Sequence, residues 1–183
     1  MKWPYDLGAS VPTLQAEFDS VVAHFERPLI SYLYRFVFHA ETAADLAQET
    51  FVKAYQNLHR YDAGRRFSTW LFAIASNLAK DHLRKFGQAA ETEDLENAGE
   101  QVIPLCLRPD RQLEASELGR ALEEAISALP LLLREPLLLR HVAGLSTEET
   151  AEALDVSSSV VKVRLFRARQ ILQELLGKEW MTA

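Results

Sequence analysis

Cysteine, glycine and proline are all scarce in this 183-residue chain, which carries one, seven and seven of them. The lone thiol, Cys106, closes no internal disulfide. With no second cysteine or histidine cluster beside it, the sequence points away from redox and zinc chemistry. Gly and Pro each stand at about 4%, below the roughly 7% and 5% of average usage, which disfavours turn-dense β architectures and leaves helices as the default. No apolar run approaches the roughly 20 uncharged residues of a membrane span. The opening MKWPYDLGASVP, with Pro4 and Asp6, lacks the apolar core of a secretory signal, so a cytoplasmic protein with no membrane insertion is expected. Catalytic signatures are missing as well: there is no Gly-rich phosphate loop, no HExxH and no Ser, His and Asp set in recognisable context. His24, His39, His59, His82 and His141 are scattered. The expectation is no enzymatic activity and no cofactor.

Charge is present, but unevenly. The formal net charge of −6 argues, taken as an average, against a polyanionic partner. Between Gly87 and Glu117, however, eight acids stand against Arg108 and Arg111, so this one segment accounts for the whole excess. Arg60 to Phe86 and Ser157 to Lys178 each carry a net +4. Two basic segments therefore flank an acidic middle, GQAAETEDLENAGEQVIPLCLRPDRQ, whose Gly, Pro and acid content reads as an interdomain linker.

In the first segment Phe18, Val21, Val22, Phe25, Leu29, Leu33 and Phe36 recur at helical spacing, with Pro28 expected to kink or restart the helix. Thr42 opens a second helix, AADLAQETFVKAYQNL, in which Ala47, Phe51, Ala54 and Leu58 share a buried face. Asp45, Gln48, Glu49, Val52 and Gln56 line its other face, an acidic and amide strip suited to a partner's arginines. The same spacing also fits an ordinary solvated face. After the loop HRYDAGRR, a third helix, FSTWLFAIASNLAKDHLRK, buries Phe67, Leu71, Ile74 and Leu78. Arg66, Trp70, Asn77, Lys80 and Arg84 follow another track, with Tyr61, His59 and Arg65 of the loop beside it. Rings that stack on unpaired bases, next to cations that neutralise phosphate, suit single-stranded nucleic acid. The alternative is Trp70 as a core anchor among ordinary surface charges.

In the last segment Pro130 suits the first turn of a helix towards Val142, which Pro136 should bend. Ser146 and Glu149 form a capping-box pattern opening a short helix through about Leu154. A tight turn at Asp155 and Val156 follows. Ser157 or Ser158 then caps a longer helix with the stripe Val161, Leu165, Ala168, Leu172 and Leu175. Two helices so joined, the second basic, match the helix-turn-helix geometry in which the second enters the major groove. Ser158 and Ser159 open that helix, and Lys162 and Arg167 flank its outer face, where phosphate or guanine edges are in reach. Val163 and Phe166 suit a thymine methyl or a sugar. Arg164 and Arg169 lie nearer the core edge, where phosphate positioning or a salt bridge within the domain is expected. A basic helix simply docked on its neighbours is the bland alternative.

Together the two halves resemble an extracytoplasmic-function (ECF) sigma factor of bacterial RNA polymerase. DLAQETFVKAYQNL and FSTWLFAIASNLAKDHLRK resemble the core-binding and promoter-melting segments of sigma domain 2. LPLLLREPLLLRHVAGLSTEETAEALDVSSSVVKVRLFRAR is similar to sigma domain 4. The resemblance implies that Asp45, Gln48 and Glu49, with Val52 and Gln56 on the same strip, engage the β′ clamp coiled coil of core polymerase. It places Tyr61, Arg65, Arg66, Trp70, Asn77, Lys80 and Arg84 at the single-stranded minus-ten element. Ser158, Ser159, Lys162, Val163, Arg164, Phe166, Arg167 and Arg169 fall at the duplex minus-thirty-five element. Core polymerase through β′ and β, promoter DNA and an anti-sigma factor are the partners implied.

Four departures from the family pattern stand out: Thr150 for a large aliphatic, Asp155 for a turn glycine, Ser157-Ser158-Ser159 for Pro-x-Gly, and Val163 where Ser is frequent. The first two are expected to weaken domain 4. The resulting expectation is an all-α protein: an N-terminal extension (1–13), sigma domain 2 (14–86), an acidic linker (87–112), sigma domain 4 (113–178) and a tail (179–183). The linker's charge suits repulsion of DNA and occupation of a basic polymerase channel. The rivals are a stand-alone helix-turn-helix regulator, which leaves the Asp45 to Gln56 strip unexplained, and a helical adaptor, which leaves the basic ridges unexplained.

Overall fold

Helical periodicity closes into eight α-helices in the computed structural model, which describes residues 10–85 and 117–177. The acidic linker falls outside the described residues. Helix α1 (Val11–Ala16) starts at Ser10, whose hydroxyl accepts from the Thr13 amide, and buries Leu14 completely. Helix α2 (Phe18–Val37) runs through Pro28 without a break, so the helix does not restart there. Burial of Phe25 and Leu29 on either side offsets the hydrogen bond that the proline lacks.

Phe38 takes a left-handed conformation (φ 53°) and reverses the chain into α3 (Ala40–Gln56). That helix begins two residues before Thr42, since the His39 ring accepts from the Thr42 amide and so acts as the cap. A 3-10 turn (Leu58–Arg60) leads to α4 (Phe67–Lys85), and α2, α3 and α4 pack pairwise into the first lobe. Its interior is aromatic: Tyr32 lies edge-on to Phe72, and its hydroxyl bonds that of Ser76 at 2.6 Å across α2 and α4.

The second lobe comprises α5 (Glu117–Ser127), α6 (Leu131–His141), α7 (Thr147–Leu154) and α8 (Ser158–Leu176). Helix α5 escaped the sequence reading, although Leu122, Ala125, Ile126 and Leu129 recur at helical spacing. Pro130 stands at the N-cap of α6, and Pro136 sits buried inside that helix without ending it. The capping box forms as expected, with the Ser146 hydroxyl accepting from the Glu149 amide and the Glu149 carboxylate from the Ser146 amide. Asp155 ends α7 at φ 53°, and Ser157, not Ser158, caps α8. Some expected core residues are misplaced: Leu175 is exposed, because the stripe of α8 outruns its neighbours after Leu172, and Ile74 of α4 is only half-buried.

The lobes pack against each other, α4 on α7 and α2 on α5 and α6. Arg134 of α6 donates to the carbonyls of Ser127 and Leu129 in its own lobe and of Phe36 in the other, and its guanidinium lies 5.1 Å from the centre of the Phe38 ring.

Thr150 is fully buried in the helix-turn-helix and its hydroxyl has no hydrogen-bond partner among the described residues. An orphaned buried hydroxyl costs about 1–3 kcal/mol. Thr150→Val, which keeps the shape and removes the hydroxyl, is therefore expected to stabilise the protein by about 1 kcal/mol in urea denaturation. A lowered midpoint would contradict this.

Candidate nucleic-acid and partner interface

Three surfaces carry the residues singled out by the sequence. On α3, Asp45, Gln48, Glu49, Val52 and Gln56 are all exposed, and so is Tyr55 beside them. Glu49 pairs with Lys53 one turn on, at 3.1 Å, a solvent-exposed contact that holds the side chains only weakly. The strip is acidic, amide-bearing and apolar at Val52 and Tyr55. It combines acceptors for a basic partner with area to bury.

On α4 the structure divides the single ridge that the sequence suggested. Trp70, Asn77 and Asp81 turn towards α3 and, with Lys53, Asn57, Arg60, Ile74 and Leu78, line a groove of about 310 Å³. The Asn57 amide is fixed by donating to the Lys53 carbonyl at 2.8 Å. Lys53 and Asn57 escaped the sequence reading because they sit at the end of the preceding helix, off the track of α4, whereas Arg60 lies in the 3-10 turn that opens the loop before it. The other flank faces the second lobe. Arg66 Nη1 lies 2.8 Å from Glu149 Oε1, and Lys80 Nζ 3.1 Å from Glu135 Oε1. Arg65 Nη1 lies 2.7 Å from Glu152 Oε1. Arg84 pairs with Asp81 on its own helix.

Tyr61 corrects an expectation. It is buried rather than presented to a ligand: its ring packs against Phe67 and Trp70, and its hydroxyl donates to the Arg65 carbonyl at 2.6 Å. It supports Trp70, which is half-buried with one side on this cluster. The two readings of Trp70 are thus joined in one residue, an anchor that keeps part of its ring open.

On α8, Ser159, Lys162, Val163, Phe166, Arg167 and Arg169 are exposed, Phe166 at 60% and Val163 at 52%. Large apolar side chains so open on a basic helix are unpartnered among the described residues. Ser158 and Arg164 are half-buried, and the Ser159 hydroxyl bonds that of Ser157, the cap. Arg164 turns inward, where its charge favours the ionised form of Glu135. Behind the helix, burial and the charges of Arg169 and Arg140 hold His141 below its ordinary pKa. Among the described residues no group of acids, histidines or cysteine could hold a metal ion, and no helix is long and apolar enough to cross a membrane.

Comparison with known proteins gives these surfaces a context. Residues 21–89 match Sigma-70 region 2, and residues 119–172 match Sigma-70, region 4. The RNA polymerase sigma-H factor of Pseudomonas aeruginosa is 34% identical over 165 residues, covering 87% of this chain and 86% of that one. The ECF RNA polymerase sigma factor SigW of Bacillus subtilis is 31% identical over 169 residues, covering 88% and 90%. The chain belongs to the ECF sigma factors. Its fold agrees. The solved sigma factor RpoE of Bartonella quintana, in complex with the anti-sigma factor NepR, superposes with a TM-score of 0.71 at 26% identity, covering 87% of this chain and 96% of that one. CnrH in complex with the cytosolic domain of CnrY gives 0.65 at 27% identity, covering 92% and 93%. This sigma factor is a promoter-specific transcription initiation factor, and the two matched regions together leave the stand-alone regulator unsupported.

The burial of Tyr61 is testable in the sigma factor alone. Tyr61→Phe, which loses one hydrogen bond, is expected to cost about 1 kcal/mol. Tyr61→Ala, which also empties the space under Trp70, is expected to cost about 3 kcal/mol or more in thermal or urea melts. A Tyr61→Ala protein as stable as the parent would return Tyr61 to the surface.

Proposed function

We propose that the three surfaces divide the work of initiation. The α3 strip from Asp45 to Gln56 docks on core polymerase through the β′ clamp coiled coil, with the β subunit as a further contact. Its exposed acids and amides accept from basic side chains of the partner, and Val52 and Tyr55 supply buried area. The α4 surface around Trp70 and Asn77, with Arg65, Arg66, Lys80 and Arg84, receives the melted minus-ten strand. There the open side of the indole stacks on a base and the cations neutralise phosphates. The outer face of α8 enters the major groove of the minus-thirty-five element, with Lys162 and Arg167 on phosphate or guanine and Val163 and Phe166 on apolar groove features.

The observation that carries this reading is the exposure of Val163 and Phe166 between Lys162 and Arg167, on the second helix of a capped helix-turn-helix. A solvated helix face has no use for two open apolar side chains. The chain performs no covalent chemistry, works in the cytoplasm, needs no cofactor, and is restrained by an anti-sigma factor of the kind that accompanies its solved neighbours. Residues 87–112 act as an acidic tether.

Run-off transcription with purified core polymerase on a library of upstream sequences tests the assignment, and enrichment of paired elements is the expected result. Lys162→Ala with Arg167→Ala is expected to lower transcription from such promoters at least tenfold, at about 1–3 kcal/mol per lost base contact. Asp45→Ala with Gln48→Ala is expected to weaken core binding about tenfold and leave the melting curve unchanged. Full promoter selectivity in the Lys162 and Arg167 variant would overturn the assignment of α8.

A further inference from the structure

The first two turns of α8 are short of hydrogen-bonding side chains at the place where a recognition helix meets base edges, its N-terminal end. The Ser157 hydroxyl is engaged by the cap, accepting from the Val160 amide, and it also bonds the Ser159 hydroxyl. Ser158 is half-buried. What stands open instead is apolar: Val160 at 37% and Val163 at 52%, with Arg167 exposed one turn further on. These three step by three and four residues, so they form one track along the helix. Lys162 and Arg164 stand to either side of it, and α8 holds no acid before Glu174. An apolar track bordered by cations alone is complementary to a surface that is apolar in the middle and anionic at its edges.

We propose that Val160 and Val163 read the C5-methyl groups of two neighbouring thymines in the upstream promoter element, with Arg167 placed for a guanine beside them. This rests on the reading of α8 given above and adds to it one residue, Val160, and one chemical class. Side chains three residues apart on a helix stand about 5–6 Å apart at Cβ. Neighbouring base pairs rise about 3.4 Å and also turn, so methyls at the groove edge are separated by more than the rise. Two valines therefore span one base step. A valine has neither donor nor acceptor and cannot use the polar groups by which the major groove distinguishes bases, and the thymine methyl is the apolar group on that edge. A purine edge pressed against a valine loses water and gains no partner. The first two turns of α8 thus select by the presence of a methyl, and Arg167 supplies the polar contact that fixes the position.

Deoxyuridine in place of thymidine tests this, since it removes the methyl and keeps every hydrogen-bonding group of the base. Holoenzyme made from the full chain and core polymerase is titrated with a duplex promoter enriched from the library of upstream sequences. The upstream element is expected to hold two neighbouring thymines on one strand, and each uracil is expected to weaken binding about fourfold. In Val160→Ser with Val163→Ser, whose folding is checked by its melting curve, thymine and uracil promoters are expected to bind alike. An enriched element without such a thymine pair overturns the proposal, as does a uracil penalty of the same size in parent and variant. Equal binding of the two promoters by the parent also overturns it, while the assignment of α8 stands if Lys162→Ala with Arg167→Ala weakens binding. If neither uracil nor that pair of substitutions changes binding, the assignment of α8 falls with the proposal.

Discussion

Two adjacent residues of α6, Arg134 and Glu135, bring opposite charges into the region where the lobes meet, and the rest of the arrangement depends on how those charges are met. Burial is the main influence on both, lowering Arg134 to about 10 and raising Glu135 above the ordinary carboxylate range. Burial also raises the Tyr32 hydroxyl, and the charge of Glu135 adds to the effect. Charge removed from water is costly unless it finds a partner. Arg134 finds three carbonyls, one of them in the first lobe, and Glu135 finds Lys80. Such pairs add little net stability compared with apolar packing, but they fix one register.

The seam is polar at Arg65, Arg66 and Lys80, each paired with a carboxylate of the second lobe. Four of the open apolar groups, Val52, Tyr55, Val163 and Phe166, lie on the faces assigned to polymerase and duplex, while Val160 and Leu175 are open elsewhere on α8.

Much of this was legible in the sequence. Periodicity located α2, α3, α4 and α8, the Ser146 and Glu149 pattern gave the start of α7, and the exposed strip of α3 was marked by its polarity. What escaped has physical reasons. The restart expected at Pro28 came from local propensity, which tertiary burial overrode. Helix α5 stands beside an acidic segment whose composition masked its apolar face. Tyr61 looked like a loop aromatic because its carbonyl partner, Arg65, is defined only once the loop closes. The division of the α4 ridge into two flanks depends on a neighbouring lobe, which spacing along one helix cannot reveal. A carboxylate inside the apolar run LREPLLL was the one local sign that Glu135 meets a cation elsewhere.

The central claim is that α3, the α4 surface and the outer face of α8 meet different partners. Hydrogen exchange followed in free sigma factor, holoenzyme and promoter-bound holoenzyme measures this most directly. The account predicts that amides of α3 slow on polymerase alone, while amides from Arg65 through Trp70 and those of α8 slow further when promoter is added. Equal exchange from Arg65 through Trp70 with and without promoter would contradict it.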